Sequence, residues 1–271
     1  MRVNLALRRS LIYLLPLALL FFTLSMRVVA SDLLERLSLL CFDLYQKAAP
    51  RVSGDLPIRV VDIDDQSLKR IGQWPWPRTV IAELVDRLRE AGASVIVFDI
   101  DFAEPDRTSP KLLLSLLAQN GVGGEEAERI LLALPDPDKR LAEAIHALPV
   151  ITGFILTDRA QTRPPLAKGG FAFAGEDPLG HVDSFSAAVS NLPELESAAA
   201  GNGFLNQYVD WDHVVRRVPL IFRLGEKPYP SLAAEALRIA LGAPSYVGRA
   251  AGANTEKSFG EKTGLTAIRI G

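Results

Sequence analysis

The sequence predicts an α/β fold: an open mixed, mostly parallel sheet with helical crossovers, preceded by one N-terminal transmembrane helix. Three observations carry this expectation. Two short β-branched runs, residues 60–64 (Val-Val-Asp-Ile-Asp) and 94–100 (Ser-Val-Ile-Val-Phe-Asp-Ile), flank a segment of helical period, and each run contains carboxylates near its end. An uncharged apolar stretch fills residues 10–26. Between residues 79 and 91 the apolar positions Val80, Ile81, Leu84, Val85 and Leu88 share one face, and Gly92 follows where a left-handed cap belongs.

Taken in order, residues 1–9 form a basic cytoplasmic terminus with Arg2, Arg8 and Arg9, and residues 10–30 a signal-anchor whose amino end stays inside. Ten residues of the uncharged stretch are Leu, Ile or Phe, so insertion gains about 3–6 kcal/mol, enough to outweigh Pro16, Thr23 and Ser25. Val28, Val29 and Ala30, with a snorkelling Arg27, complete the span. The competing reading is a cleaved signal peptide, since Ala30 offers the small residue needed before Ser31. On either reading, residues 51–271 form an extracytoplasmic domain.

Residues 31–50 read as an amphipathic juxtamembrane helix. Leu33, Leu37, Leu40 and Leu44 are spaced four, three and four apart, with Leu34, Cys41 and Ala48 on the adjoining ridge. The stripe admits a homodimer seam, but two heptads do not make a coiled coil, and packing against the chain's own domain is the simpler expectation. Pro50, Gly54 and Pro57 then punctuate a connector. Cys41 is the single cysteine. It excludes an intramolecular disulfide and a cysteine metal cluster, and it reads as a small buried apolar residue.

The two β-branched runs, joined by the helix, predict parallel strands with a right-handed crossover. Asp64, Asp65, Asp99 and Asp101 should then gather at the carboxyl edge of the sheet, where open α/β sheets place ligands. Two unit charges 4 Å apart repel by about 4 kcal/mol at an effective dielectric of 20. Arg59, Arg78 or a divalent cation must therefore compensate the acids. Between the runs lies Trp74-Pro75-Trp76-Pro77-Arg78. Its prolines forbid regular pairing, so a rigid loop is expected, with Pro77 starting the helix. The tryptophans serve either as a lid over the core or as an aromatic ligand platform.

These same residues carry a resemblance. Asp64-Asp65-Gln66-Ser67-Leu68, Ile71-Gly72-Gln73-Trp74-Pro75-Trp76-Pro77-Arg78 and Val97-Phe98-Asp99-Ile100-Asp101-Phe102 together resemble the opening of the second type of CHASE domain, the extracytoplasmic sensory module of bacterial cyclases and kinases. The resemblance covers about residues 32–271, and it is strongest before residue 107. It implies a signal-input domain followed by membrane spans and a cytoplasmic output domain, such as an adenylate or guanylate cyclase or a sensor kinase. It also implies a fold continuing past residue 271.

Downstream, residues 107–134 read as an inserted helical hairpin relative to the family. A helix follows from Asp138, with Leu141, Ala142, Ile145 and Leu148 inward, and then a strand at 150–156. Residues 158–183 read as a long loop. A hairpin pairs 203–208 with 214–224, and its turn sets His213 where the family has glycine, so a histidine at positive φ is one expectation. A helix at 231–241, with Leu232, Ala236 and Ile239 inward, precedes a linker at 242–264 and a final strand at 265–270 that would lack a partner.

The function expected is that of a sensory domain with an unknown small-molecule or envelope ligand, the membrane as partner and no catalytic residue assigned. The candidate site comprises Asp64, Asp65, Trp74, Trp76, Arg78, Asp99 and Asp101. Two rivals remain. Residues 95–101 imitate the hhhhDxD start of haloacid-dehalogenase-type phosphohydrolases, with Asp99 and Asp101 as the pair, although Ala103 stands where that family wants threonine. An envelope protein-interaction domain is the other. A formal net charge of −2 without a basic stripe excludes nucleic acid. His146, His181 and His213 lack metal-ligand spacing.

Overall fold

The amphipathic segments form helices, and the first two lie in a compact unit of their own, Met1–Ile63, while Asp64–Gly271 forms the second. The computed structural model describes residues 5–29, 31–52, 54–122, 124–159, 163–250 and 264–271. In the first unit α1 (Leu5–Val29) is followed by α2 (Ser31–Ala48). Among the described residues no helix is long and apolar enough to cross a membrane. The side chains of 10–12 and 26–30, parts of the expected span, lie outside them. On α2 the leucines 33, 37, 40 and 44 are exposed. Cys41 is exposed as well, not buried as its residue type led us to expect.

The predicted strand at 60–64 does not form. Residues 60–63 have no regular structure, and Val60 is 90% exposed. A β-branched run becomes a strand only where a partner lies alongside, and no described strand pairs with it. Asp64 instead caps a short helix, α3 (Asp65–Ile71). After the tryptophan loop comes α4 (Arg78–Glu90), which buries Ile81, Ala82 and Val85. Gly92 at φ +89° takes the left-handed position expected of it. The second run contributes only β1 (Ile96–Val97), with Phe98 and Phe102 buried just beyond it, edge to face at 5.4 Å.

The inserted hairpin is present as α5 (Pro110–Gln119) and α6 (Glu125–Leu132). Next, α7 (Pro137–His146) buries Leu141, Ala144 and Ile145 and packs against α4. The expected strand at 150–156 is β2 (Val150–Thr157), which lies parallel to β1 with Ile96 beside Val150. The parallel crossover therefore runs from β1 to β2 over α5, α6 and α7.

The region read as a long loop holds β3 (Gly170–Ala174), and just past it come β4 (Ser184–Phe185), β5 (Ala187–Val189) and α8 (Pro193–Ala198). β6 (Gly201–Phe204) runs parallel to β2, and β5 antiparallel to it. Two asparagine side chains extend these ladders by imitating backbone amides. Asn191 joins Phe102 N–H to Gly153 O, at 2.7 and 2.8 Å, and Asn206 takes both the N–H and the carbonyl of Leu156 at 2.8 Å.

β7 (Ile221–Leu224) pairs with β4 and with β8 (Lys227–Pro230), not with 203–208. Of the expected hairpin there remain the bridge between Tyr208 and Arg217 and the turn, in which Asp210 N–H donates to Val214 O at 3.1 Å. Its turn does set His213 at φ 61°. α9 (Leu232–Ala240) turns Ala234, Glu235 and Arg238 inward in place of the expected apolar face. The expected linker contains β9 (Ser245–Ala250), and residues 251–263 lie outside the described residues. β10 (Leu265–Ile270) is not partnerless, since it pairs antiparallel with β9, whose other edge takes β3 in parallel.

The result is mixed α/β, but with three small sheets among the described residues instead of one open sheet. Phe154, Leu156, Ala188, Phe204, Phe222 and Tyr229 fuse two of them into one core. The third is clamped by buried charge. Arg238 donates to both carboxylate oxygens of Glu235 at 2.7 and 2.8 Å, and the Tyr246 hydroxyl on β9 donates to the same carboxylate.

Candidate functional site

The seven residues singled out by sequence fall in three places. Asp64 and Asp65 stand at the start of α3, not at a sheet edge. The Asp64 carboxylate accepts from the Ser67 hydroxyl at 2.7 Å and from the Ser67 N–H at 2.8 Å. These bonds hold it below the usual carboxylate range. That is a helix cap, and it explains the Asp-x-x-Ser spacing without a ligand. Asp99 is exposed and Asp101 half-buried. The strand that was to carry Asp64 and Asp65 to a shared sheet edge with Asp99 and Asp101 does not form. Among the described residues no group of three His, Cys, Asp or Glu is placed to hold a metal ion. The acidic edge thus offers a divalent cation no set of ligands.

The tryptophan loop is pinned from both sides. Trp76 is buried, and its indole N–H donates to Gly72 O at 2.8 Å. Trp74, half-buried, meets Trp76 edge to face with centroids 5.7 Å apart. Arg107 donates to Pro75 O at 2.7 Å and to Gln73 O at 3.4 Å. Trp76 is therefore a lid on the core, while Trp74 borders an open groove of about 750 Å³ with Asp65, Leu68, Lys69 and Gln73.

Arg78 does neutralise acids, chiefly Asp138 and Asp106, with Asp101 the one member of the expected set that acts on it. Its backbone N–H donates to the Asp106 carboxylate, its guanidinium donates to Glu104 O at 3.2 Å, and its Nε lies 3.5 Å from Asp138 Oδ1. The guanidinium also covers the Phe102 ring at 4.6 Å. Burial pushes the guanidinium pKa down, with Asp138 and Asp106 opposing. Burial likewise pushes the Asp138 carboxyl up, against the hydrogen bond from Asp106 N–H. Arg78 Nε and Asp138 Oδ1 have no hydrogen-bond partner, so the buried pair is under-compensated. Burial also acts on Asp106, but hydrogen bonds from Arg78 N–H and Thr108 outweigh it and hold this carboxyl low.

Beside this pair a cavity of about 320 Å³ is lined by Ser109, Lys111, Asp136, Asp138, Leu192 and Glu194, among others. Burial and then Asp136 and Asp138 push the Glu194 carboxyl up. Sequence reasoning left out Asp106, Asp136 and Glu194. In the sequence Asp138 reads only as the start of a helix, and nothing there shows that Arg78, far back in the chain, would fold against it.

With this geometry in place, the model of the family described as the CHASE2 domain matches residues 16–269, nearly the whole chain. Neither a curated protein nor a solved structure shows significant similarity.

Proposed function

The chain belongs to the CHASE2 domain family, a family of extracellular sensory domains, and from that premise we propose that it is the signal-input part of a membrane-bound bacterial signal-transduction protein. It binds a ligand, or registers a condition of the envelope, outside the cytoplasm. It passes the result to a cytoplasmic output domain of the nucleotide cyclase or kinase kind. The observation that carries the reading is the family match along nearly the whole chain.

Two features support it. Arg2, Arg8 and Arg9 precede a stretch free of charge over residues 10–26, the arrangement that keeps an amino terminus inside and exports the chain beyond the span. The extracellular character of the family is the second, since a domain of that kind needs export past such a stretch. Residues 10–30 are the anchor in this reading, and residues 51–271 lie in the periplasm or outside the cell. Within the second unit the candidate ligand contacts are Asp65 and Trp74 at the open groove. Trp76 and Arg78 hold the loop, and Asp64 caps the helix beside it.

The reading is tested by fusing a phosphatase that folds only outside the cytoplasm at Gly242, on the far side of α9. Activity on intact cells is expected. Activity from a cytoplasm-dependent reporter at the same position would overturn it.

A further inference from the structure

The groove beside Trp74 has a lining that selects a ligand chemistry, and the geometry points to a neutral saccharide as what it binds. This rests on the sensory reading above and names its ligand class. Five residues make the lining: Asp65, Leu68, Lys69, Gln73 and Trp74. Asp65, Leu68 and Lys69 come from one face of α3, since positions three and four apart lie on the same side of a helix. Gln73 and Trp74 follow directly after its last turn.

Each contributes something a sugar ring needs. Asp65 accepts hydrogen bonds, Lys69 donates them and the Gln73 amide does both. None of the three side chains has a hydrogen-bond or ion-pair partner among the described residues, so all three are free for hydroxyl groups. One anion and one cation leave no net charge to select a charged ligand. Trp74 supplies an aromatic surface, and Leu68 the apolar floor beside it. A pyranose has an apolar C–H face and a rim of hydroxyls, so it can lie on the indole while its rim remains wet.

What separates this from an ordinary exposed tryptophan is rigidity. The loop carrying Trp74 is tied by the indole of Trp76 to Gly72, and by Arg107 to Pro75 and Gln73. The platform is therefore ordered before any ligand arrives, and binding does not bear that entropic cost. A zwitterionic amino acid also has no net charge. Its gain would come from ion pairs with Asp65 and Lys69, both exposed, and exposed pairs contribute about 0–1 kcal/mol. The open groove favours stacking over charge pairing.

The test uses the full chain in a detergent without a sugar headgroup, with cellobiose and N,N′-diacetylchitobiose as probes and free alanine as the zwitterion. Binding is read by ligand-observed saturation-transfer NMR. Saturable binding of at least one disaccharide is expected, weakened about tenfold by Trp74→Ala, the scale of one lost aromatic contact. Asp65→Asn and Gln73→Ala, both at exposed positions, should weaken it severalfold with an unchanged melting temperature. They keep the test valid should Trp74→Ala disturb the loop. Trp211→Phe should leave it unchanged. No saturable binding of either disaccharide, or binding insensitive to substitutions at 65, 73 and 74, would overturn the assignment. So would binding of alanine alone that is lost in Asp65→Asn. If the exported reporter is active and no disaccharide binds, the ligand class fails and the sensory reading stands.

Discussion

Arg78 is where the second unit concentrates its electrostatic risk. Its guanidinium and the Asp138 carboxylate are both nearly inaccessible, with side chains 11% and 5% exposed, yet they meet at 3.5 Å without a hydrogen bond. Such a pair adds little net stability while both members are present and a great deal of instability when one is removed. Arg78→Ala, which leaves Asp138 buried without its cation, should cost about 3 kcal/mol in a denaturant melt. Asp138→Asn alone should cost less, because the neutral amide relieves the penalty on a buried carboxylate. The double variant should lose less than the two single losses added together. Strict additivity would show that the two do not share an interaction. At this scale the sequence was half legible. The arginine after Trp-Pro-Trp-Pro was legible as a cation that compensates buried or clustered acids. The compensating acids, Asp106 and Asp138, lie 28 and more residues away, and no local period records such a distance.

Among the elements, helices were more legible than strands, although β2 and β10 form where the sequence expects them. The helical period fixed α4 and α7 because their buried residues are apolar and regularly spaced. It misplaced the inward face of α9, because what that helix buries is the Glu235–Arg238 pair, whose partner Tyr246 lies on a strand the sequence did not announce. That strand, β9, contains Gly248, where an added Cβ would come within 2.5 Å of Phe173 on β3. A glycine demanded by close packing looks in sequence like a turn. The run at 60–64 fails for the opposite reason, since it has strand composition and no partner. Gly203 tests the argument about close approach. On β6 its Cβ would lie 2.5 Å from Leu232 Cα at the start of α9. Backbone cannot yield as a side-chain tip can, so Gly203→Ala should destabilise by about 1–3 kcal/mol. Gly54→Ala, with nothing within 4 Å of the new carbon, should be neutral or slightly stabilising. Equal melting temperatures for the two variants would mean that α9 does not press on β6 as the distance implies.

For the whole molecule, these local environments sum to a stability curve with a crest in weak acid. Asp64, Asp86, Asp106, Asp210 and Asp212 are all held below the ordinary aspartate value of 3.8. The furthest shifted is Asp212, pushed down to about 2 chiefly by its hydrogen bonds to Arg216. For each of them the unfolded chain binds a proton more readily than the folded one between the two values, so stability is present above 3.8 and is lost as pH falls toward 2. Asp138 and Glu194 run the other way. Burial penalises their ionised forms, with neighbouring carboxylates adding to it at Glu194. The folded state therefore keeps their protons to higher pH, and stability declines as they ionise. Five groups pull one way and two the other, so denaturant melts should show stability rising steeply up to about pH 4 and falling gently above it. Asp212→Asn should reduce the rise. Glu194→Gln should remove part of the decline without breaking any described hydrogen bond. A curve that climbs without a crest to neutral pH, unaltered by Glu194→Gln, would mean that the cavity beside Asp138 is wet enough to solvate its carboxylates.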